Sequence, residues 1–182
     1  MAEPSAAREL FPAIHEDARR GQIGDVRTYP GKWDELIQAG PLGGRYMLLC
    51  REDLRPSGYA VYRLEREERY SSHASVVVEH LISCTDASYR RLWAHLANLD
   101  LTDCVLARGR PEHEALQWML SDRRQMIVTD VHDHLWLRLV DVADALSLRR
   151  YGTAGTLRLR VRDSFCPWNS GCWLLAAGWW TR

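Results

Sequence analysis

Lysine is almost missing from this 182-residue sequence: Lys32 is the only one among 24 basic residues, and the rest are arginine. That skew reads as a coding bias. No GxxxxGK[ST] motif surrounds Lys32, which excludes a P-loop. Net charge is missing too, since 24 acidic residues balance the 24 basic ones. Without a basic field there is little to release counterions from a nucleic-acid backbone, so nucleic acid is not expected as a partner. No run reaches the ~18 apolar residues of a membrane span, so no membrane partner is expected. The start, Met1-Ala2-Glu3-Pro4, has neither the basic nor the apolar region of a signal peptide. The cysteines, Cys50, Cys84, Cys104, Cys166 and Cys172, are scattered, odd in number and free of any CxxC pair. They are expected to be buried reduced thiols in a cytoplasmic protein. GxSxG and HExxH are also absent.

What is present suits a soluble chain, with 46% hydrophobic and 26% charged residues. Ser5 is expected to cap a helix running to Arg20, with Leu10, Ile14 and Ala18 inward and Pro12 shortening or kinking it. Gly21 and Gly24 follow as breakers, then a short helix from Trp33 to Gln38. Strands are expected over 46–51, 58–64 and 75–83, as an antiparallel meander joined at Arg55-Pro56-Ser57 and Tyr70-Ser71-Ser72-His73. Thr85 or Asp86 caps the best helix, whose inner face carries Tyr89, Leu92, Trp93 and Leu96. A strand over 103–108, a helix opened by Pro111 with Leu116 and Leu120 on one face, and strands over 126–130 and 135–140 complete the first part. A short helix over 141–148 and strands over 156–161 and 172–176 follow.

The order to Val140 is α-α-β-β-β-α-β-α-β-β, the later order of the GNAT acetyltransferase fold without its usual first strand. Four runs carry a closer resemblance. They are Gly58-Tyr59-Ala60-Val61-Tyr62-Arg63, Tyr89-Arg90-Arg91-Leu92-Trp93, Leu135-Trp136-Leu137-Arg138-Leu139-Val140-Asp141-Val142 and Asp163-Ser164-Phe165-Cys166-Pro167-Trp168-Asn169. In these runs the chain resembles the enhanced intracellular survival (Eis) acetyltransferases. That family joins a catalytic GNAT domain, a central GNAT-like domain and a sterol-carrier-like domain. Its members transfer acetyl from acetyl-CoA to amines such as aminoglycosides, assemble as hexamers and are in some cases secreted.

The resemblance implies an α/β (α+β) chain with a GNAT-like mixed sheet flanked by helices, followed by the first strands of a sterol-carrier-like domain. The domains would be 1–148, a central CoA-free GNAT-like domain with its N-terminal helices, and 149–182, the truncated start of the next. It further implies a homo-oligomer and a small amine substrate in the intact protein.

A working GNAT domain seats the CoA pyrophosphate on a glycine-bearing (Q/R)xxGx(G/A) loop at a helix N-terminus. The equivalent turn here, Ile82-Ser83-Cys84-Thr85-Asp86-Ala87-Ser88, has no glycine and adds a carboxylate. The family's catalytic tyrosine and C-terminal carboxylate have no counterpart here, where the chain ends Trp179-Trp180-Thr181-Arg182. Catalytic and cofactor-binding residues are therefore expected to be none in this chain, with acetyl-CoA the co-substrate of the intact family. The chain alone is expected to be inactive.

As part of the substrate pocket, the resemblance points to Trp33, Asp163 and Trp168, because aromatic faces and carboxylates attract ammonium groups. The alternative is a non-catalytic GNAT-like module for assembly or ligand binding. His132-Asp133-His134 offers two metal-ligand side chains without a third, so no metal is expected. Trp173, Trp179 and Trp180, with Leu174 and Leu175, form an apolar cluster that favours association.

Overall fold

The computed structural model describes residues 1–22, 25–37, 44–66, 74–133 and 135–177. It divides into two compact units, Met1–Val128 and Thr129–Arg182.

In the first unit, α1 spans Pro4–Arg20 and α2 spans Pro30–Ile37. Each starts on a proline, whose missing N–H costs nothing in a first turn. The α1 cap is Glu3, with no side-chain cap bond, and not the expected Ser5. Pro12 leaves α1 intact. The carbonyl its ring frees belongs to Arg8, four residues back on the exposed side, where water can satisfy it. The inner face is Ala7, Phe11, Ile14 and His15. It is rotated from the expected Leu10–Ile14–Ala18 stripe because Phe11 stacks on Tyr59 of the sheet at 4.1 Å. Gly24, Gln38 and the 70–73 connection lie outside the described residues.

The sheet is mixed, in the order β1 (Tyr46–Glu52), β2 (Arg55–Glu65), β3 (Ala74–Ser83), β4 (Thr102–Ala107). The first three strands form the antiparallel meander that was expected. The first turn is tighter than expected. Asp53 and Leu54 take left-handed backbone angles (φ 47° and 68°), and Arg55-Pro56-Ser57 belong to β2. Helix α3 (Asp86–Ala97) then carries the chain across to β4, parallel to β3.

Residues of β2 alternate between two cores. Tyr59 and Val61 face α1 and α2, with Phe11, Ile14, Leu36, Ile37 and Met47. Ala60 and Tyr62 face α3, with Val76, Val78, Leu81, Leu92, Trp93 and Leu96. Gly58 lets α3 approach. A Cβ there would lie 3.0 Å from Ile82 O and 3.2 Å from a Leu92 methyl.

Beyond β4 the expectations are corrected twice. Pro111 opens no α-helix; only a short 3-10 turn, Ala115–Trp118, forms. Glu114 just before it has extended backbone and is drawn inward by partners described below. The stretches 126–130 and 135–140 join no sheet among the described residues. A strand exists only through its ladder, and these stretches meet no strand partner among the described residues.

The second unit holds α4 (Val142–Ser147) and an antiparallel pair, β5 (Gly155–Val161) with β6 (Gly171–Ala177). Asp141 caps α4 by accepting the Asp144 N–H at 2.9 Å. Trp179 and Trp180 lie outside the described residues. All five cysteines are free, but only Cys50 and Cys166 are buried; Cys84, Cys104 and Cys172 are exposed, against the expectation of burial.

Candidate functional site

The parallel pair β3–β4 decides what the first unit can hold. Their register runs only from Ala74↔Thr102 to Val78↔Ala107, while β3 continues to Ser83. Past Val78 the pairing stops because β4 ends at Ala107, and α3 starts just beyond the end of β3. An uncovered strand edge beside a helix N-terminus is a natural place for an anionic ligand.

The helix end is occupied from within. Thr85 Oγ1 accepts the Ser88 N–H at 3.0 Å, and Ser88 Oγ accepts the Thr85 N–H at 3.3 Å. This closed capping box uses donors that an anion would need. Ser88 is fully buried and its hydroxyl also reaches Ser57 O at 2.9 Å, which locks the box to β2. Thr85 Oγ1 donates to the Glu52 carboxylate at 2.7 Å, and Asp86 lies in the first turn. Two carboxylates therefore already complement the helix dipole.

The uncovered end of β3 is occupied as well. Arg110, three residues past the end of β4, donates from one terminal nitrogen to Leu81 O at 3.0 Å and from Nε to Glu114 at 2.7 Å. Tyr89 donates its hydroxyl to the same Glu114 carboxylate. The guanidinium lies 5.7 Å from the Trp93 ring, which Tyr89 meets edge-on. Burial lowers the Arg110 pKa to about 10 and pushes the Glu114 carboxyl up. Arg110 thus satisfies a β3 carbonyl that β4 no longer covers, and Glu114 balances its charge. Both partners of Arg110 come from the chain itself.

On the opposite face of the sheet, Trp33 of α2 stands in a box of rings. It meets His15 edge-on at 5.6 Å, and Tyr59 and His80 at 6.3 Å each. The Tyr59 hydroxyl lies 3.0 Å from His80 Nδ1, and Thr28 Oγ1 lies 3.2 Å from His15 Nε2. Burial is the main force holding His80 down to about 4, helped by the neighbouring His15, Lys32 and Arg110 and opposed by Asp25.

Asp163 and Trp168 lie in the second unit, at one turn. Asp163 Oδ1 accepts N–H groups of Cys166 at 2.9 Å and Phe165 at 3.0 Å, and a terminal nitrogen of Arg138 at 2.6 Å; Oδ2 accepts from Asn169 at 3.1 Å. The Cys166 N–H, then Asn169, then Arg138 hold this carboxyl far below the usual range. Its oxygens organise the turn. Trp168 donates from Nε1 to Val140 O at 2.8 Å and leaves its ring 62% exposed. Thus two of the three sequence-proposed residues share a turn, and Trp33 belongs to a separate cluster. His132 pairs with Asp130 at 3.2 Å; His134 lies outside the described residues, and no metal-holding group of three occurs among those described.

Sequence reasoning missed Arg110, His15 and His80, and expected Glu114 in a solvated first turn of the helix opened by Pro111, whereas it is buried. One signal was available: Arg110 and Glu114 are four residues apart, around the proline thought to open a helix.

Comparison with known proteins agrees with this architecture. The acetyltransferase (GNAT) domain family matches residues 26–140, and the sterol carrier protein domain family matches 142–178. An N-acetyltransferase of Streptomyces coelicolor is 31% identical over 182 residues, covering 96% of this chain and 44% of its own length. N-acetyltransferase Eis of Mycobacterium tuberculosis is 31% identical over 154 residues, covering 83% of this chain and 36% of its own. The crystal structure of Eis1 from Mycobacterium abscessus superposes with a TM-score of 0.74 at 31% identity, covering 97% of this chain and 44% of that one. The chain therefore spans less than half the length of these relatives.

Two outcomes follow. Replacing Arg110 by Met strands a buried carboxylate and should cost about 3 kcal/mol in urea unfolding, while the double replacement Arg110→Met with Glu114→Leu should recover most of it. His80 has a folded pKa below its unfolded one, so its contribution is complete above about pH 6.5 and drains away toward pH 4. Stability measured at pH 5 should be lower than at pH 7, and His80→Phe should flatten that difference.

Proposed function

This chain belongs to the GNAT acetyltransferase family and carries sterol-carrier sequence after it, and from that premise we propose that it is the CoA-free GNAT portion of an Eis-type N-acetyltransferase. In the intact protein, acetyl would pass from acetyl-CoA to an amine of the aminoglycoside or polyamine kind. The acetyl-CoA would be held outside this chain, and this portion would help to wall the amine site.

One observation carries the reading. The place where a GNAT fold would seat a pyrophosphate is closed by its own side chains, through the Thr85–Ser88 box and the Arg110–Glu114–Tyr89 group. Binding there would have to break a buried ion pair and compete with a capping box for its donors. The two carboxylates at the helix end, Glu52 and Asp86, oppose the negative charge of a pyrophosphate.

The same reading assigns the amine side to aromatic surface. In the second unit Trp168 offers an exposed ring to an ammonium group; Trp33, half-buried beside His15 and His80, is a separate candidate in the first unit. Asp163 serves by fixing the Trp168 turn, because its oxygens are already committed.

Isothermal calorimetry of this chain with acetyl-CoA is the test. No heat of saturable binding is expected at micromolar concentrations. Stoichiometric micromolar binding would overturn the proposal and make this portion a cofactor-binding domain in its own right.

A further inference from the structure

Two histidines face each other where α1 packs on the sheet. His15 of α1 is buried, and its ring stacks on the half-buried ring of His80 from β3 at 6.1 Å between centres. Their hydrogen-bond partners are hydroxyls: His80 Nδ1 lies 3.0 Å from that of Tyr59, and His15 Nε2 lies 3.2 Å from that of Thr28. Among the described residues neither ring has a carboxylate partner. The titratable and charged groups that bear on His80 are His15 from α1, Lys32 from α2, Arg110 from beyond β4, Tyr59 from β2 and Asp25 from the connection between α1 and α2. Cys84, just past β3, donates its thiol to Ile14 O of α1 at 3.6 Å. The other acids of the two helices already hold cations: Glu16 holds Arg19, Asp17 holds Arg20, Asp34 holds Arg8 and Glu35 holds Lys32. One acid, Asp25, therefore stands against three basic groups around His80.

A neutral imidazole accepts at one nitrogen, so Tyr59 can donate its only O–H to His80 Nδ1. A protonated ring donates from both nitrogens and accepts nothing. Tyr59 would then have to turn its O–H elsewhere, yet it is wholly buried, with Phe11 stacked on it at 4.1 Å. A charged His80 thus sets a cation beside His15, Lys32 and Arg110 and orphans a buried hydroxyl. Both costs fall on the contact between the sheet and α1–α2, and both vanish once that contact opens to water. The core on the α3 side has no such group. No histidine belongs to it, and His95 of α3 is exposed.

We propose that His15, His80 and Tyr59 form a proton-operated latch: uptake of a proton at His80 releases α1 and α2 from the sheet, while α3 stays packed on the other face. Release uncovers Phe11, Ile14 and Tyr59 and takes Trp33 out of its box of rings. Burial above all, then the positive neighbours, holds His80 at about 4 in the closed form, against about 6.5 once it is open to water. The open form therefore binds the extra proton, and closure weakens as pH falls from about 6.5 toward 4, by up to about tenfold per pH unit. Between pH 7 and pH 5 the opening constant rises about twentyfold. The latch rests on the fold and does not depend on the acetyltransferase reading.

Hydrogen exchange of the full chain, read by mass spectrometry and corrected for the intrinsic exchange rate at each pH, tests it. Protection of the α1 amides should fall about twentyfold from pH 7 to pH 5. At pH 5 the α3 amides should remain at least about tenfold better protected than those of α1. His80→Gln keeps an acceptor for Tyr59 but takes up no proton, so its α1 protection should change by less than about threefold over the same range. His80→Phe serves as a second variant that does not titrate. Protection of α1 that is the same at pH 7 and pH 5 overturns the proposal. So does a fall of α1 and α3 to one common level, which is unfolding of the whole unit, and so does a full pH response of α1 that survives in both variants.

Discussion

The buried Arg110–Glu114 pair is the interaction on which the functional account depends. Where one of two parallel strands ends first, the other keeps carbonyls that no neighbour covers, and buried carbonyls must find donors. In this protein the donor is a side chain. Arg110 reaches Leu81 O, which obliges the fold to bury a cation, which obliges it to bury Glu114 beside it, which Tyr89 then completes from α3. The chain from β4 to the 3-10 turn at Ala115–Trp118 is shaped by that sequence of needs. A ligand amide N–H could satisfy the same carbonyl, but only if the arginine were elsewhere.

The helix end follows the same logic on a smaller scale. A glycine-rich turn leaves its N–H groups open to an anion; a Thr–Ser capping box spends them on itself. The cap stabilises α3, and its locked Ser88 holds α3 against Gly58 of β2, where no larger side chain would fit without displacement. One set of atoms thus both caps α3 and ties it to β2.

The sequence made some of this legible. The meander and α3 follow from local signals: β-branched and aromatic alternation in β2 and β3, and the Thr85 cap. The missing glycine of the β3–α3 turn was visible as well. The Pro111 segment was misjudged because Glu114 is decided by a distant strand carbonyl and not by helix propensity. The stretch 135–140 has the composition of a strand but no ladder, because pairing depends on a partner that local pattern cannot supply. Asp163 was expected to help line a substrate pocket; in the structure it accepts from Phe165, Cys166 and Asn169 of its own turn and from Arg138. The histidine box escaped notice because His15 and His80 are far apart in sequence and meet only across the α1–sheet interface.

The central claim is that this GNAT fold is closed to acetyl-CoA by its own side chains. Amide nuclear magnetic resonance tests it most directly, by following the N–H signals of Thr85, Ser88 and the β3 residues as acetyl-CoA is added in excess. The account predicts that these signals stay where they are. Saturable shifts at Thr85 and Ser88 would show that the capping box opens for an anion and would contradict it.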